Sequence, residues 1–120
     1  MKCLSLCHSI ICEDDEQNKG DKIFNSPSPD EIALANFAKY SYYEYRGMDR
    51  HNNMLLKVPN GKGGYRIDEY PQEEILGFSS KRKRMSVILK TPDDRIVLYC
   101  KGADSIVLPR CQESVYRLQT

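Results

Sequence analysis

The clearest pattern of hydrophobic and polar positions in the chain lies over residues 29–40. Ser28 is placed to cap a helix there, Pro29 takes the first helical position, and Glu31 falls where a capping box has its acidic partner. The spacing therefore predicts a helix over residues 29–40. The predicted buried face of this helix consists of Ala33, Leu34, Phe37 and Ala38.

Two strand-like runs, residues 84–90 and 95–101, lie on either side of the polar segment 91–94. They predict a β-hairpin with a four-residue loop, in which Lys90 lies opposite Arg95. In this register one face of the hairpin is apolar along its whole length, which specifies the pairing because a slip by one residue exposes that face. The predicted apolar face consists of Met85, Val87, Leu89, Ile96, Leu98 and Cys100.

The same register places Arg84 directly beside Lys101 on the other face of the hairpin. Like charges in such positions destabilise a sheet by roughly 0.2–1 kcal/mol unless an anion lies close to them. A bound phosphate is one candidate for this anion. The structural alternative is a carboxylate from another part of the fold, namely Glu31, Glu73 or Glu74.

Weaker patterns indicate the remaining helices and strands. Residues 3–12 are apolar enough to form a buried helix or strand, and residues 42–45 and 54–58 are short strand candidates. Near the end of the chain, Asp104 is expected to begin a short helix that Pro109 ends or kinks.

Two loop regions are predicted, at about residues 13–27 and 47–64, with the strand candidate 54–58 inside the second. The glycines of the turn at 59–64 superficially resemble a phosphate-binding loop. A P-loop needs Gly, four residues and then Gly-Lys-Ser or Gly-Lys-Thr, and no such run exists in the chain.

The length of 120 residues is enough for one hydrophobic core and too short for two, so a single domain over residues 1–120 is predicted. Hydrophobic residues make up 40% and charged residues 29%, which is typical of a folded globular domain. Together with the predicted elements, this indicates an α/β (α+β) fold with a twisted, mainly antiparallel sheet and flanking helices.

Charge and cysteine content exclude several classes of function. Lys and Arg number 18 against 17 Asp and Glu, and the net charge of +1 provides no overall field to attract a polyanion or a membrane surface. No apolar stretch approaches the roughly 20 residues needed to cross a bilayer. The 5 cysteines are unevenly spaced, which suits reduced thiols better than a disulfide framework.

No metal site and no catalytic residue are predicted. Cys3, Cys7, His8 and Cys12 lack the close cysteine pair of a zinc site. The histidines, His8 and His51, lie in an apolar segment and a polar loop without a recognisable catalytic signature.

An aromatic residue next to a cationic run is the strongest candidate for binding chemistry. Phe78 precedes the basic residues 81–84, and such a pair can stack on a base while the cations hold phosphate. Two alternatives remain open at this point. Phe78 can be an ordinary core residue, and the run from Lys81 to Arg84 can bind an acidic partner or nucleic acid.

Three segments, at residues 28–31, 78–88 and 99–104, resemble in order and interval the nucleotide-binding domain of P4-type ATPases, the lipid flippases. Residues 6–9 match the entry to that domain, and the resemblance covers about residues 3–111. It implies that Phe78 stacks on adenine, that Glu31 hydrogen-bonds the base, and that Lys101 contacts the base or the phosphates. Gly102 would line the site beside Lys101. Ser79, Ser80, Met85 and Ala103 are further candidates for lining the site.

The resemblance also implies the context in which the chain works. ATP, accompanied by Mg²⁺, would be its ligand, the phosphorylation and membrane domains of the parent pump would be its partners, and the whole would be a cytosolic domain of an integral membrane protein. Direct contact with a membrane and with nucleic acid is not expected.

Two departures from the family pattern limit what this chain can do alone. It lacks the Asp-Lys-Thr-Gly-Thr motif that carries the phosphorylated aspartate, so it is not expected to turn over ATP by itself. The family pattern also continues beyond residue 120, so the domain is expected to be truncated at its C-terminus.

Overall fold

The structure, a computed structural model, describes residues 1–112. Its helices are α1 (Lys2–Leu6), α2 (Pro29–Tyr40) and α3 (Asp104–Val107), the last followed by a 3₁₀ turn over Leu108–Arg110. Its strands are β1 (Ile11–Asp14), β2 (Lys22–Asn25), β3 (Glu44–Met48), β4 (Asn53–Pro59), β5 (Tyr65–Leu76), β6 (Arg84–Lys90) and β7 (Ile96–Gly102). No helix among these residues is both long and apolar enough to span a membrane.

The strands form two antiparallel sheets. β3 to β7 make a five-stranded meander in sequence order, and β1 pairs with β2 in a separate hairpin that contacts β3. The long strand β5 joins the two halves of the meander, because its first part pairs with β4 and its last part pairs with β6. The change of partner occurs next to Pro71, which has no N–H for a ladder bond, and at a bulge between Gln72 and Glu74.

The hydrophobic core lies between the helices and one face of the meander. α1 contacts β3, β4 and β7, and α2 contacts α1 and β3. The core residues come from segments spread between residues 6 and 89; they are Leu6, Cys7, Ile10, Ala35, Tyr45, Met54, Leu56, Val58, Tyr70, Met85, Val87 and Leu89. These elements confirm the predicted mainly antiparallel sheet with flanking helices.

Helix α2 begins and ends where the sequence predicts, because its capping signals are local. The Ser28 hydroxyl accepts the Glu31 N–H at 3.5 Å, and Pro29 occupies the first turn. The predicted buried face is wrong except at Ala38, since Ala35 and Ala38 are the buried residues of the helix. Ala33, Leu34 and Phe37 are exposed, Phe37 to 54%, because α2 covers the edge of the core and turns a second apolar stripe away from it.

The hairpin of β6 and β7 is correctly predicted, but its register is wrong by one residue. Asp94 adopts a left-handed backbone with φ of 66°. Its N–H donates to the Thr91 carbonyl at 3.0 Å, and the Thr91 N–H donates to the Arg95 carbonyl at 2.7 Å. This geometry is that of a three-residue loop closed by a left-handed residue, so Thr91 and Arg95 pair and Lys90 lies opposite Ile96.

The corrected register redistributes the residues of β7 between the two faces. Val97 and Tyr99 now accompany the buried Leu89 and Val87, whereas Ile96 and Leu98 lie on the opposite, exposed face. The predicted contact between two cations is also wrong, because Arg84 pairs with Gly102 and Lys101 pairs with Met85.

Elsewhere the predicted loops contain more strand than expected. β1 and β2 occupy parts of the region 13–27, and β3 and β4 extend into the region 47–64. The apolar segment 3–12 forms α1 and the start of β1 and is buried at four consecutive residues, 5–8. As predicted, a short helix begins at Asp104, and Pro109 lies in the 3₁₀ turn that follows it.

Candidate functional site

A cleft of about 960 Å³ opens between the start of α2, the turn that joins β5 to β6, and the end of β7. We name its sides by their residues. The helix wall consists of Ser9, Pro27, Ser28, Asp30, Glu31 and Leu34; the turn wall of Ile75, Gly77, Phe78, Ser80 and Lys83; and the sheet wall of Met85, Lys101, Gly102 and Ala103.

The cleft brings together nearly all the site residues that the sequence singles out. Glu31, Phe78, Ser80 and Lys101 line it, as do Met85, Gly102 and Ala103. Ser79 does not line it. Its hydroxyl accepts the Arg82 N–H at 3.1 Å and its carbonyl accepts the Lys83 N–H at 2.7 Å, so Ser79 shapes the turn instead.

Glu31 organises the helix wall through its carboxylate. Oε2 accepts the hydroxyls of Ser26 at 2.8 Å and Ser9 at 3.2 Å, and Oε1 accepts the Ser9 N–H at 3.4 Å. The same Oε1 pairs with Lys101 Nζ at 3.3 Å. Glu31 therefore does not act as the reciprocal partner of a capping box, since the Ser28 N–H donates to the Ser26 hydroxyl.

The pair of Glu31 and Lys101 joins the helix wall to the sheet wall. Burial, the largest single effect, raises the pKa of Glu31, but the Ser26 hydrogen bond and the Lys101 charge outweigh it. The pKa of Glu31 consequently lies below that of an ordinary glutamate, and the carboxylate is charged at neutral pH. This carboxylate is the anion beside Lys101 that the sequence left open as the alternative to phosphate.

His8 is buried next to Ser9, a residue of the helix wall. Its ring is 3% exposed and lies edge-on to Tyr45 at 4.4 Å between centroids. Nδ1 accepts the Ile10 N–H at 3.1 Å and Nε2 lies 2.7 Å from the Ser5 carbonyl, which fixes the neutral tautomer with the proton on Nε2. Burial lowers the pKa of His8 to about 4. The neighbouring Ser9 is thereby held against Glu31.

Phe78 is the apolar centre of the turn wall, and the residue is 67% exposed. The interpretation of Phe78 as a core residue is therefore wrong. Leu34 and Ile75, both more than a third exposed, and the buried Met85 line the cleft with it. An exposed aromatic ring inside an apolar-lined cleft is a surface on which a flat ligand can stack.

Gly102 permits the close packing of β7 against the end of the turn. A Cβ atom at this position would lie 2.5 Å from the Lys83 carbonyl oxygen and 2.8 Å from the Arg84 Cα. The Ala103 N–H donates to the same carbonyl at 3.2 Å. Glycine is therefore required at 102 by the close contact between β7 and the backbone of residues 83 and 84.

The basic run of residues 81–84 is not a uniform patch. Lys81 points to solvent, and Lys83 lines the cleft. Arg82 turns inward onto the carbonyls of the turn, and Arg84 Nη1 donates to the Arg82 carbonyl at 3.2 Å. Among residues 1–112, Lys83 forms no ion pair.

Sequence reasoning missed several lining residues on the helix and turn walls. They are Ser9, Pro27, Ser28, Asp30, Leu34, Ile75, Gly77 and Lys83. Ser28 was considered only as a helix cap and Lys83 only as part of a charge run. The signal that could have found them is proximity in sequence to Glu31 and Phe78, since seven of these positions lie within about five residues of one or the other.

Within residues 1–112, no group of three or more His, Cys, Asp and Glu side chains is arranged to hold a metal ion. Both nitrogens of His8 are already engaged with backbone groups.

A family model and individual relatives of the chain indicate the same protein family. The model of the family described as P-type ATPase, cytoplasmic domain N, matches residues 1–117. The phospholipid-transporting ATPase FetA of Mus musculus is 40% identical over 105 residues, which cover 88% of this chain and 8% of the mouse protein. The human phospholipid-transporting ATPase IG is 38% identical over 117 residues, which cover 93% of this chain and 10% of that protein.

A fungal relative extends the comparison. The phospholipid-transporting ATPase DNF1 of Chaetomium thermophilum is 34% identical over 119 residues, covering 94% of this chain and 7% of its own length. The chain thus spans a tenth or less of the length of these relatives.

Proposed function

The chain belongs to the family of P-type ATPase cytoplasmic N domains, and from this premise we propose that it is the ATP-binding domain of a phospholipid-transporting pump. In this proposal residues 1–120 form a single cytosolic domain of an integral membrane protein. The domain presents ATP to an aspartate in a neighbouring domain of the pump, whose membrane domain carries the lipid.

The observation that carries the proposal is the exposed Phe78 ring in a cleft that also contains Lys83 and Lys101. A ring that a core would normally bury is left open beside two cations. Stacking of a base on an aromatic side chain contributes about 1–3 kcal/mol, and lysines supply the charge that phosphates require. A nucleotide combines a flat base with anions and matches both parts of the cleft.

The residues of the cleft suit different parts of ATP. Phe78, with Leu34, Ile75 and Met85 around it, would hold adenine. Glu31 accepts hydrogen bonds and would accept one from the base. Lys83, which forms no ion pair among the described residues, and Lys101 with Gly102 would hold the phosphates or the base edge. Ser80 and Ala103 complete the lining.

The chain's contribution to phosphoryl transfer is positioning. Mg²⁺ would arrive with the nucleotide, where it neutralises phosphate charge, and no dedicated protein site for it is proposed. Holding ATP in a fixed orientation lowers the entropic cost of the reaction with the distant aspartate. Because the chain lacks the phosphorylated aspartate, we propose that it binds ATP without turning it over.

Nucleic-acid or acidic-partner binding through Lys81–Arg84 is the second candidate, and the geometry disfavours it. Arg82 directs its guanidinium at protein acceptors, so the run presents fewer free cations than its composition indicates. Binding to a polyanion would weaken steeply with salt, whereas stacking on Phe78 would persist.

The test is calorimetric titration of ATP into the wild-type chain, Phe78→Ala and Phe37→Ala. Phe37 is the matched control, since its ring is 54% exposed on α2 but lies outside the cleft lining. Loss of one stacked base predicts a roughly ten- to hundredfold lower affinity for Phe78→Ala. Unchanged affinity in Phe78→Ala, or an equal loss in Phe37→Ala, would overturn the proposal.

A further inference from the structure

The position of the Phe78 ring is not set by core packing. The ring is mostly exposed, and no other aromatic ring among residues 1–112 stacks on it. Gly77 precedes it, with open space where a side chain would be. If this ring binds a base, something else must hold the backbone that carries it.

The Arg82 side chain holds the backbone before Phe78 through hydrogen bonds. Nη1 donates to the carbonyls of Leu76 and Gly77, each at 3.1 Å, which are the two peptide groups directly before Phe78. Nη1 also lies 3.3 Å from the Arg84 carbonyl, and Nη2 donates to the buried Ser86 hydroxyl at 3.3 Å. One guanidinium thus ties the end of β5 to the start of β6, and the turn between them carries the ring.

The chemistry of these contacts is specific to arginine. Its planar group directs five N–H donors along fixed lines, whereas a lysine ammonium is a single point with three donors. Nη1 alone contacts carbonyls on both strands, and Nη2 adds the Ser86 hydroxyl, for which a lysine ammonium has no second nitrogen. The same contacts account for why this cation does not line the cleft, although its neighbour Lys83 does.

We propose that Arg82 is a positioning residue for nucleotide binding, which acts by fixing the backbone at residues 76–78 and hence the Phe78 ring. The inference rests on the proposed function. In this proposal Arg82 stabilises the turn and does not contact phosphate, whereas Lys83 and Lys101 contact phosphate.

The test compares Arg82→Ala and Arg82→Lys with Lys81→Ala, a neighbouring exposed cation outside the cleft lining. ATP and adenosine are titrated separately into each variant. Both Arg82 variants are expected to lose affinity for the two ligands by the same factor, roughly tenfold, because the contact with the base is disturbed. Lys81→Ala is expected to bind both as the wild type does. Millimolar guanidinium is expected to restore part of the affinity of Arg82→Ala.

A double-mutant cycle separates this role from a general effect on folding. In a Phe78→Ala background, Arg82→Lys should cause no further loss, because the ring that it positions is gone. An Arg82→Lys variant with wild-type affinity, a loss confined to ATP, or an undiminished loss in the Phe78→Ala background would each overturn the inference. Failure of Phe78→Ala itself to weaken binding would instead overturn the proposed function.

Discussion

The helix wall and the turn wall face each other across one cleft, and they are held in place by different means. On the helix wall, Glu31 is 11% exposed in its side chain and is bound by Ser9, Ser26 and Lys101. On the turn wall, Phe78 is exposed, and its backbone is held by the guanidinium of Arg82.

Because of this difference, substitutions on the two walls should affect folding stability and ligand affinity to different extents. Groups on the helix wall are bonded to several elements of the fold, so changing them costs folding free energy as well as affinity. The Phe78 ring contributes little buried area, so its removal should alter affinity and leave stability within about 0.5 kcal/mol. Variants of the two walls should therefore differ in which quantity they change.

The largest expected effect is on the helix wall at acid pH. His8 has a pKa lowered to about 4 in the folded chain, against about 6.5 when unfolded. The contribution of neutral His8 to the free energy of unfolding is complete above pH 6.5. It is lost as the pH falls towards 4, because His8 of the unfolded chain takes up a proton at a higher pH than His8 of the folded chain. The loss approaches roughly 3 kcal/mol. Urea unfolding at several pH values between 7 and 4 measures it.

The control for this prediction is His8→Asn, which cannot titrate in this range. The variant is expected to be less stable at pH 7 but to show a flatter dependence of stability on pH between 6.5 and 5. An identical pH dependence in the variant and the wild type would show that other groups carry the acid sensitivity.

The next effect concerns the ion pair that joins the helix wall to the sheet wall. Lys101→Met leaves the Glu31 carboxylate partly buried without its cation, and we expect a loss of about 2 kcal/mol, between the values for exposed and buried pairs. Chemical denaturation measures this loss. The double variant Glu31→Gln/Lys101→Met is expected to be more stable than Lys101→Met alone, since it removes the unpaired charge. Equal stabilities would contradict the assigned pair.

The smallest effect is expected on the turn wall. Lys83 holds a left-handed backbone with φ of 52°, which is strained for a lysine. Lys83→Gly should raise stability by roughly 0.5 kcal/mol, after the flexibility of glycine is allowed for. We expect it also to weaken ATP binding, because a cation leaves the cleft. Thermal unfolding and calorimetry measure the two quantities.

Asp94→Gly is the matched control for Lys83→Gly. Asp94 has a φ of 66° in the hairpin turn between β6 and β7 and does not line the cleft. Its replacement should raise stability by a smaller amount, because aspartate tolerates the left-handed region better than lysine, and should leave ATP affinity unchanged. If both glycine variants bind ATP like the wild type, Lys83 has no role in the cleft.

Features set by interactions between residues close in sequence could be predicted from the sequence, and features set by distant residues could not. The bounds of α2 were predicted to the residue, because Ser28 and Pro29 act within one helical turn. The hairpin register was wrong because it depends on the left-handed conformation of one turn residue, Asp94, which the pattern of hydrophobic and polar positions does not specify. Burial of Phe37 and Leu34 was also wrong, because which stripe of α2 meets the core is decided by distant strands.

The candidate site shows the same limit. Phe78 is predicted from its position beside the basic run and, like Glu31 and Lys101, from resemblance to a family, and the three residues line one cleft. The different uses of Lys81, Arg82 and Lys83 could not be predicted from four consecutive basic residues. Their directions are set by the left-handed backbone at Lys83 and by acceptors on β5 and β6.

The most direct test of the account is a map of backbone amide shifts during titration of the labelled chain with ATP. We predict shifts on all three walls together, at Phe78 and Ser80, at residues 101–103, and around Glu31. These shifts should be retained in Phe37→Ala and strongly reduced in Phe78→Ala. Shifts that leave residues 78–80 and 101–103 unaffected, or that persist unchanged in Phe78→Ala, would contradict the claim that the walls form one nucleotide site.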